Sequence, residues 1–597
     1  MEQSPTSAGK SSASAPAEPP RAVPEWHPAW ARELAGLYYS GTTCLFVLHG
    51  DVGDLTRLEP PPKPGHGTIP EFLATQLFGG WDVVLIYDLS QGLRAFAGRD
   101  GERLRQMVAR LSGEIGEPKS WPRDPDSVLA LLDQLVQKVL LTEDPARQMS
   151  LGVIIEQAQF LAPSAELAQL AGAQGARLVR LLSWARNPYI KQRNIAFCLL
   201  CDQLAELNER LTSSAHVATL EVAMPTAAER LDFIGSRAGA AGSLGDFTPE
   251  KLADLTGGLN LVNLDRLLAQ ASGLGRTLDA KNLKALKKGL IERQARGLVE
   301  FIEPPYSMDD FVGNDAVRDR LIEDAKLLSQ GRLDATAMGY LVCGPVGTGK
   351  TYLAECFAGS VGVPCVKLRN FRSKYVGETE ANLQQILAVL RAMGPVIVVI
   401  DEADAALGDR QSGGDSGTSS RVFSMIASQM GDTRYRGKLV WLLLTSRPDL
   451  LPIDLKRQGR AEVHLPLFSP RSEAEVATMV AIMARKNKAR LDAGVNPHAL
   501  AGRGLSGADI ESIVLAARRR ALVQGRETVS GDDLAFAAYD FIPSAQGLEK
   551  EKQELTAVLE CTSIAFLPED WRERVLEPNG QAKLQERLSV IKRMIET

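Results

Sequence analysis

No stretch of the 597-residue chain stays apolar for the roughly 20 residues that a membrane crossing needs. Membrane insertion is therefore not expected. An excess of one charge is lacking too. The 68 Lys and Arg against 73 Asp and Glu leave a formal net charge of -5, so bulk charge points to neither nucleic acid nor an anionic membrane. The 6 histidines are scattered and form no H-E-x-x-H, which argues against a built-in zinc protease. Of the 7 cysteines, Cys198 and Cys201 have the spacing of a metal or redox pair. No second pair accompanies them, and the surrounding run Ile195–Leu200 reads as a buried strand. Cys44, Cys343 and Cys365 also lie in apolar runs, where cysteine acts as a small hydrophobe. Residues 1–25 are rich in Ser, Ala and Pro and contain no signal-peptide core. They read as a disordered tail on a cytoplasmic protein. What remains is an ordinary soluble composition, 45% apolar and 24% charged, long enough for three or four domains.

The most informative stretch is Gly344-Pro345-Val346-Gly347-Thr348-Gly349-Lys350-Thr351, which fits G-x-x-x-x-G-K-[ST]. An apolar run, Tyr340–Cys343, leads into it as a strand, and a helix from Tyr352 leads out. The glycines let backbone N–H groups curl around a polyphosphate. Lys350 offers a point charge to the terminal phosphates and Thr351 a hydroxyl to Mg²⁺. The helix adds its positive end. Some fifty residues later Val396–Ile400 is a run of apolar, β-branched residues, as expected of a central strand covered on both faces. Asp401 and Glu402 follow at the strand end where ligands of open α/β sheets bind. Asp401 is expected in the Mg²⁺ shell. Glu402 is expected to orient and deprotonate the attacking water. Taken alone, the pair would read as a helix N-cap.

The front half alternates strand-like and helical stretches, which predicts a parallel α/β sheet. Expected strands are Thr43–Gly50, Trp81–Leu89, Leu151–Ile155, Asn194–Cys201 and Val217–Val222. Gly50-Asp51-Val52-Gly53-Asp54 starts like a phosphate loop but has no Lys and no Ser or Thr at its end. Laid on the back half, Leu151–Gln159 matches Pro395–Asp404, Asn194–Cys201 matches Lys438–Thr445, and Leu220–Arg230 matches Val463–Glu473. Leu255–Leu264 matches Ala501–Ile510. Four similarities in the same order predict two versions of one module, the front one without the phosphate loop, the acid pair and the arginines. At the far end, Leu584, Leu588, Ile591 and Ile595 share one helix face, expected to serve core or subunit packing.

Across Asp309–Ile542 the chain resembles the AAA family of ring ATPases. Asp310-Phe311-Val312-Gly313 is similar to the family's adenine-contacting loop, with Tyr352 also near the nucleotide. Lys374–Glu380, with Tyr375 and Val376, looks like an aromatic pore loop. Lys456-Arg457-Gln458-Gly459-Arg460 looks like the arginine-finger segment. Gly504–Ile510, with Gly507 and Ala508, looks like the lid motif beside adenine and ribose. The resemblance implies ATP and Mg²⁺ as ligands, a homo-oligomeric ring of six, and a protein client gripped by Tyr375. It also implies that Arg457 and Arg460 act on the neighbour's γ-phosphate. Each arginine would otherwise be a surface ion pair, and Tyr375 a ring packed on its own loop. The family usually carries Asn at the tip of the fourth strand, and Ser446 stands here. After the second arginine it carries Phe-Asp, and here Ala461-Glu462 follows. Gln411–Ser420 is expected to be a mobile loop facing the pore.

The expected fold is thus α/β, a P-loop NTPase parallel sheet with a helical lid, preceded by a degenerate AAA-like α/β module and followed by a short helical tail. The expected limits are 1–25 for the tail and 26–296 for the front module with its own lid. A linker over 297–308, the ATPase subdomain over 309–470, the lid over 471–543 and a helical C-terminal tail over 544–597 follow. The expected function is an ATP-driven protein-remodelling motor. The alternative is a nucleotide-switched assembly scaffold with slow turnover. A nucleic-acid helicase is disfavoured, because Arg518-Arg519-Arg520 is the only compact basic run.

Overall fold

A computed structural model describes residues 23–61, 63, 65–144, 148–165, 170, 172–241, 247–273, 280–295, 297–303, 306–330, 332–361, 363–369, 378–407, 416–493, 495, 497–543 and 547–596. The chain divides into two units, Met1–Ala223 and Met224–Thr597. The tail expected over 1–25 lies almost wholly outside the described residues.

The first unit is built on six strands: β1 (Leu45–Gly50), β2 (Val83–Asp88), β3 (Gly92–Ala95), β4 (Leu151–Ile155), β5 (Ile195–Cys201) and β6 (Val217–Val222). Their order is β3-β2-β4-β5-β1-β6. All neighbours run parallel except β3, which pairs antiparallel with β2. Side chains alternate between two cores, as the strand period of two demands. Leu45 and Val47 join the helices Pro125–Leu141 and Gly172–Arg186 on one face. Phe46 and Leu48 join Ala29–Tyr39 on the other. A sheet covered on both faces explains why its strands are near-continuous apolar runs. Cys198 and Cys201 are buried and free in β5. Burial pushes both thiols up, Cys201 to about 12, so neither is a reactive thiolate at neutral pH.

The second unit opens with the helices Ala227–Ala241, Pro249–Leu255, Leu261–Gly273 and Ala280–Gln294. Its sheet follows: β7 (Val299–Phe301), β8 (Gly339–Cys343), β9 (Cys365–Leu368), β10 (Val396–Ile400), β11 (Leu439–Thr445) and β12 (Val463–Pro466). The order is β12-β8-β11-β10-β9-β7, with β7 the one antiparallel member. The two sheets therefore share one plan. In each, the first parallel strand lies between the fourth and the fifth, and an antiparallel strand covers the second. A parallel α/β sheet was expected of the sequence, and both sheets are parallel apart from β3 and β7. Both are short edge strands, where antiparallel pairing needs no crossover. The expected linker over 297–308 supplies β7, apart from Pro304 and Pro305, which lie outside the described residues.

Beyond β12 come the lid helices Glu473–Lys486, Gly507–Val523 and Gly531–Asp540, closed around Ile510, Ile513 and Val514. Ser472, Ser506 and Ser530 each start one of them with a reciprocal capping box. The tail helices Gly547–Glu560, Glu569–Leu576 and Gly580–Glu596 fold back on this unit. Leu555, Val558, Trp571, Leu584 and Ile591 form a core with Phe468. Of the expected stripe, Leu584 and Ile591 are buried and Leu588 is half-buried. Ile595 stays exposed.

Candidate functional site

The phosphate loop leaves the carboxyl end of β8 and enters the helix Lys350–Val361. Backbone geometry dictates its glycines. Gly344, Gly347 and Gly349 have φ of 148°, 85° and 88°, a region that side chains rarely adopt. A Cβ on Gly344 would sit 2.3 Å from the Leu467 carbonyl oxygen, and one on Gly347 would sit 2.5 Å from Ser506 Oγ. Thr348 Oγ1 donates to the Pro345 carbonyl at 2.9 Å and braces the turn. Lys350 Nζ donates to the carbonyls of Gly344 and Pro345 and to Ser446 Oγ, each at 2.9 Å. Burial lowers this amine to about 8, against the opposing pull of Cys343, Asp401 and Asp404. Two carbonyls and a hydroxyl, all neutral, hold this ammonium at the amino end of a helix, a setting that suits a polyphosphate.

Asp401 and Glu402 leave β10 beside the loop. Thr351 Oγ1 lies 3.3 Å from Asp401 Oδ2, so hydroxyl and carboxylate converge on one point. These are the hard oxygen donors that Mg²⁺ takes, usually with phosphate oxygens and water completing the shell. Lys367 of β9 also reaches Asp401, at 2.7 Å. Glu402 has φ 48°, a left-handed conformation for a non-glycine residue, and its N–H donates to Asp401 Oδ1 at 3.0 Å. Such strain is common at working positions. Thr445 Oγ1 donates to Asp404 Oδ1 at 2.7 Å and accepts from Arg447 N at 2.9 Å, which shapes the strand tip that presents Ser446.

The far wall is the lid. Ala508 N donates to the Gly347 carbonyl at 3.3 Å, and a Cβ on Gly507 would stand 3.5 Å from that same oxygen. Phe311 is buried in the core under the loop, and Gly313 takes φ 76°. Asn314 exchanges two hydrogen bonds with the Phe468 backbone and pins the Phe311–Gly313 loop to the end of the sheet. Tyr352 packs on Tyr306 with ring centroids 5.1 Å apart, under the Lys486 ammonium.

A family model described as the ATPase family associated with various cellular activities matches residues 340–468, the loop and acid pair included. Two models of an AAA+ chaperone match residues ahead of it, its N-terminal Rossmann-like domain over 17–223 and its second helical domain over 228–296. The chain belongs to the AAA+ ATPases. It is 30% identical to an uncharacterized AAA domain-containing protein, ycf46, of Trieres chinensis, over 50% of this chain and 61% of that protein. It is 28% identical to a cell division cycle protein 48 homolog of Archaeoglobus fulgidus, over 45% of this chain and 40% of that one. An ATP-dependent zinc metalloprotease FtsH of Hahella chejuensis is 31% identical over 35% of this chain and 34% of its own length. The chain thus spans between a third and three-fifths of these relatives.

Other positions expected from the AAA+ resemblance divide. Arg457 is well exposed and pairs with Asp454 at 3.3 Å. The Arg460 side chain is only 13% exposed, and its Nη1 donates to the Asp454 carbonyl at 2.7 Å. Arg457 is therefore the freer of the two. Tyr375 and Val376 lie outside the described residues, as does the expected loop through residue 415. Glu462, noted above only as a departure, accepts from Met338 N at 3.0 Å, Gly459 N at 3.0 Å and Arg436 Nη1 at 3.1 Å. It ties the arginine segment to the start of β8. Sequence reasoning missed three further groups: Lys367 on Asp401, Asp404 under Thr445, and Gln553. The Gln553 Oε1 accepts from Val346 N of the phosphate loop at 3.0 Å. Asp404 was legible as the last residue of Asp-Glu-Ala-Asp. The other two carry no local signal.

Proposed function

We propose that this AAA+ chain hydrolyses MgATP in a ring of like subunits and uses the cycle to remodel a protein client. The observation that carries the proposal is the convergence of the Thr351 hydroxyl and the Asp401 carboxylate, 3.3 Å apart, beside the Lys350 loop. In this reading the loop N–H groups and Lys350 hold the phosphates, while Thr351 and Asp401 hold Mg²⁺, which neutralises developing charge. Glu402 takes a proton from the attacking water, and Ser446 orients the γ-phosphate. Phe311, Val312, Gly313, Gly507 and Ala508 bound the base. Exposed Arg457 reaches a neighbour's nucleotide, with Arg460 behind it. Exposed apolar side chains support assembly. Val523, Tyr539 and Ile542 of the lid and Ile453 beside the arginines are 80%, 91%, 82% and 81% exposed, outside any core of the single chain. A ring of six and a grip by Tyr375 and Val376 come from the AAA+ resemblance.

The first unit is read as a version of the same module that has given up nucleotide. The shared strand order supports this. Its helical companion is then the segment 227–294.

The test is the ATPase rate against protein concentration, for wild type and Arg457→Ala, with particle mass measured alongside. A per-subunit rate that climbs with assembly, and falls by about 10³-fold or more in the mutant while the ring persists, is expected of a finger acting in trans. An unchanged mutant rate rejects it. The second reading, a nucleotide-switched scaffold, is favoured by Ser446, which has a single hydroxyl already bonded to Lys350. Partner binding undiminished in Glu402→Gln would favour that scaffold over the motor.

A further inference from the structure

The helices 227–294 and the back sheet enclose a cavity of about 620 Å³, within the usual range of small-molecule sites. It lies at the amino end of β9 and the last turns of Lys350–Val361. The nucleotide site is at the opposite ends of these elements. Most of its wall is apolar: Leu255, Leu283, Phe301, Ile302, Val363 and Cys365. One side is cationic. Lys284 and Lys288, a turn apart on the helix Ala280–Gln294, both pair with Glu303 at 3.2 Å. Lys287 also lines the cavity, and among the described residues it has no hydrogen-bond or ion-pair partner. The charged group that acts on it most is another cation, Arg230. That guanidinium is buried and donates to the carbonyls of Ala253 and Pro225 at 3.0 and 2.6 Å. Burial and then the Arg230 charge push the Lys287 amine down to about 8. A half-buried ammonium beside a second cation is costly until an anion joins it.

We propose that this cavity binds a monocarboxylate with a hydrocarbon body, its head on Lys287 and its body along Phe301, Ile302 and Leu283. One negative charge is the right number, because Glu303 already serves the other two lysines. A nucleotide would bring several charges to Lys287, the one lining cation without an ion-pair partner among the described residues, and a polar sugar to an apolar wall. The carboxylate can belong to a free acid or to the end of an apolar peptide, and the two share this chemistry.

The test is acetylation of the full-length protein at pH about 8 with a small activated ester, read lysine by lysine by mass spectrometry. Lys287 is expected to react at least about tenfold faster than Lys284 and Lys288, because its amine is pushed down to about 8 while Glu303 engages the other two in ion pairs. Decanoate at millimolar concentration protects it, whereas decanol and inorganic phosphate do not. Calorimetry of decanoate binding falls about tenfold or more in Lys287→Met, which keeps length and loses charge. Protection by an apolar peptide with a free C-terminus, but not by its amide, assigns the peptide source. No protection by decanoate overturns the site. Equal protection by decanol overturns the anionic head, and equal protection by phosphate overturns the apolar body.

Discussion

Gln157 and Glu402 follow the same strand of two sheets with the same plan, and their backbones agree: φ is 51° at one and 48° at the other. Gly50 and Gly344, at the end of the first parallel strand in each, agree as well. A Cβ on Gly50 would sit 2.6 Å from the Val222 carbonyl oxygen, and one on Gly344 would sit 2.3 Å from that of Leu467. Beyond these points the two units part. After Gly344 the chain enters a helix at Lys350. After Gly50 come Asp51 and Asp54, then a short hairpin, Leu55–Arg57 with His66–Thr68. Two carboxylates would repel a polyphosphate where an amine would draw it in. The left-handed turn and the crowded glycine thus belong to the fold, whereas nucleotide chemistry rests on a few side chains set upon it. Strain at Glu402 is not by itself a mark of catalysis, since Gln157 bears the same strain without a carboxylate.

Making the second site like the first has the largest expected effect. Glu402→Gln should lower ATP turnover by about 10²- to 10⁴-fold while nucleotide binding survives. The reciprocal Gln157→Glu should gain no turnover, measured in a Lys350→Ala background. Turnover there would erase the distinction between the units. Lys350→Ala should weaken ATP binding roughly thirty- to several-thousand-fold, the cost of removing one partner of a buried charge pair. Equilibrium titration should then find no site of wild-type affinity on the chain. A surviving site would place nucleotide in the first unit. Affinity should also depend on pH. The free amine titrates at about 8, and phosphate favours its charged form, so affinity should decline as pH rises above that value.

Smaller effects sharpen the structural side. Glu462→Ala should cost about 2–4 kcal/mol in chemical denaturation, because three donors lose a charged acceptor. Burial alone would raise this carboxyl. The Arg436 guanidinium and the N–H groups of Met338 and Gly459 outweigh it and hold the carboxyl below its ordinary 4.5. Its contribution is therefore complete above that value and lost as pH falls through the lower folded one. Wild type should lose this part of its stability in acid, and the mutant should not. Smallest is Gln157→Gly, expected to raise stability by up to about 1 kcal/mol, since glycine accepts a positive φ at some cost in chain entropy. No gain would mean that the Gln157 side chain holds the turn.

How much of this was legible follows from range. Leu151–Ile155 and Val396–Ile400 were readable to the residue, because strands covered on two faces are unbroken apolar runs. Gly92–Ala95 and Val299–Phe301 were missed as strands, being short, half-buried edges without such a run. The phosphate loop was legible because its chemistry is contiguous. Lys367 was not, since it meets Asp401 only through the pairing of β9 with β10. Glu462 was noticed for departing from a pattern, but its three hydrogen bonds could not be foreseen.

The hydrogen bond from Val346 N to Gln553 joins residues 207 positions apart. During synthesis the phosphate loop leaves the ribosome long before the helix Gly547–Glu560 is made. At about 5–20 residues per second the interval is roughly 10–40 s. For that time the loop stands without this acceptor, and so does the core that Leu555 and Val558 form with Phe468. The order of birth thus sets an order of maturation in which the finished nucleotide pocket is among the last parts to form.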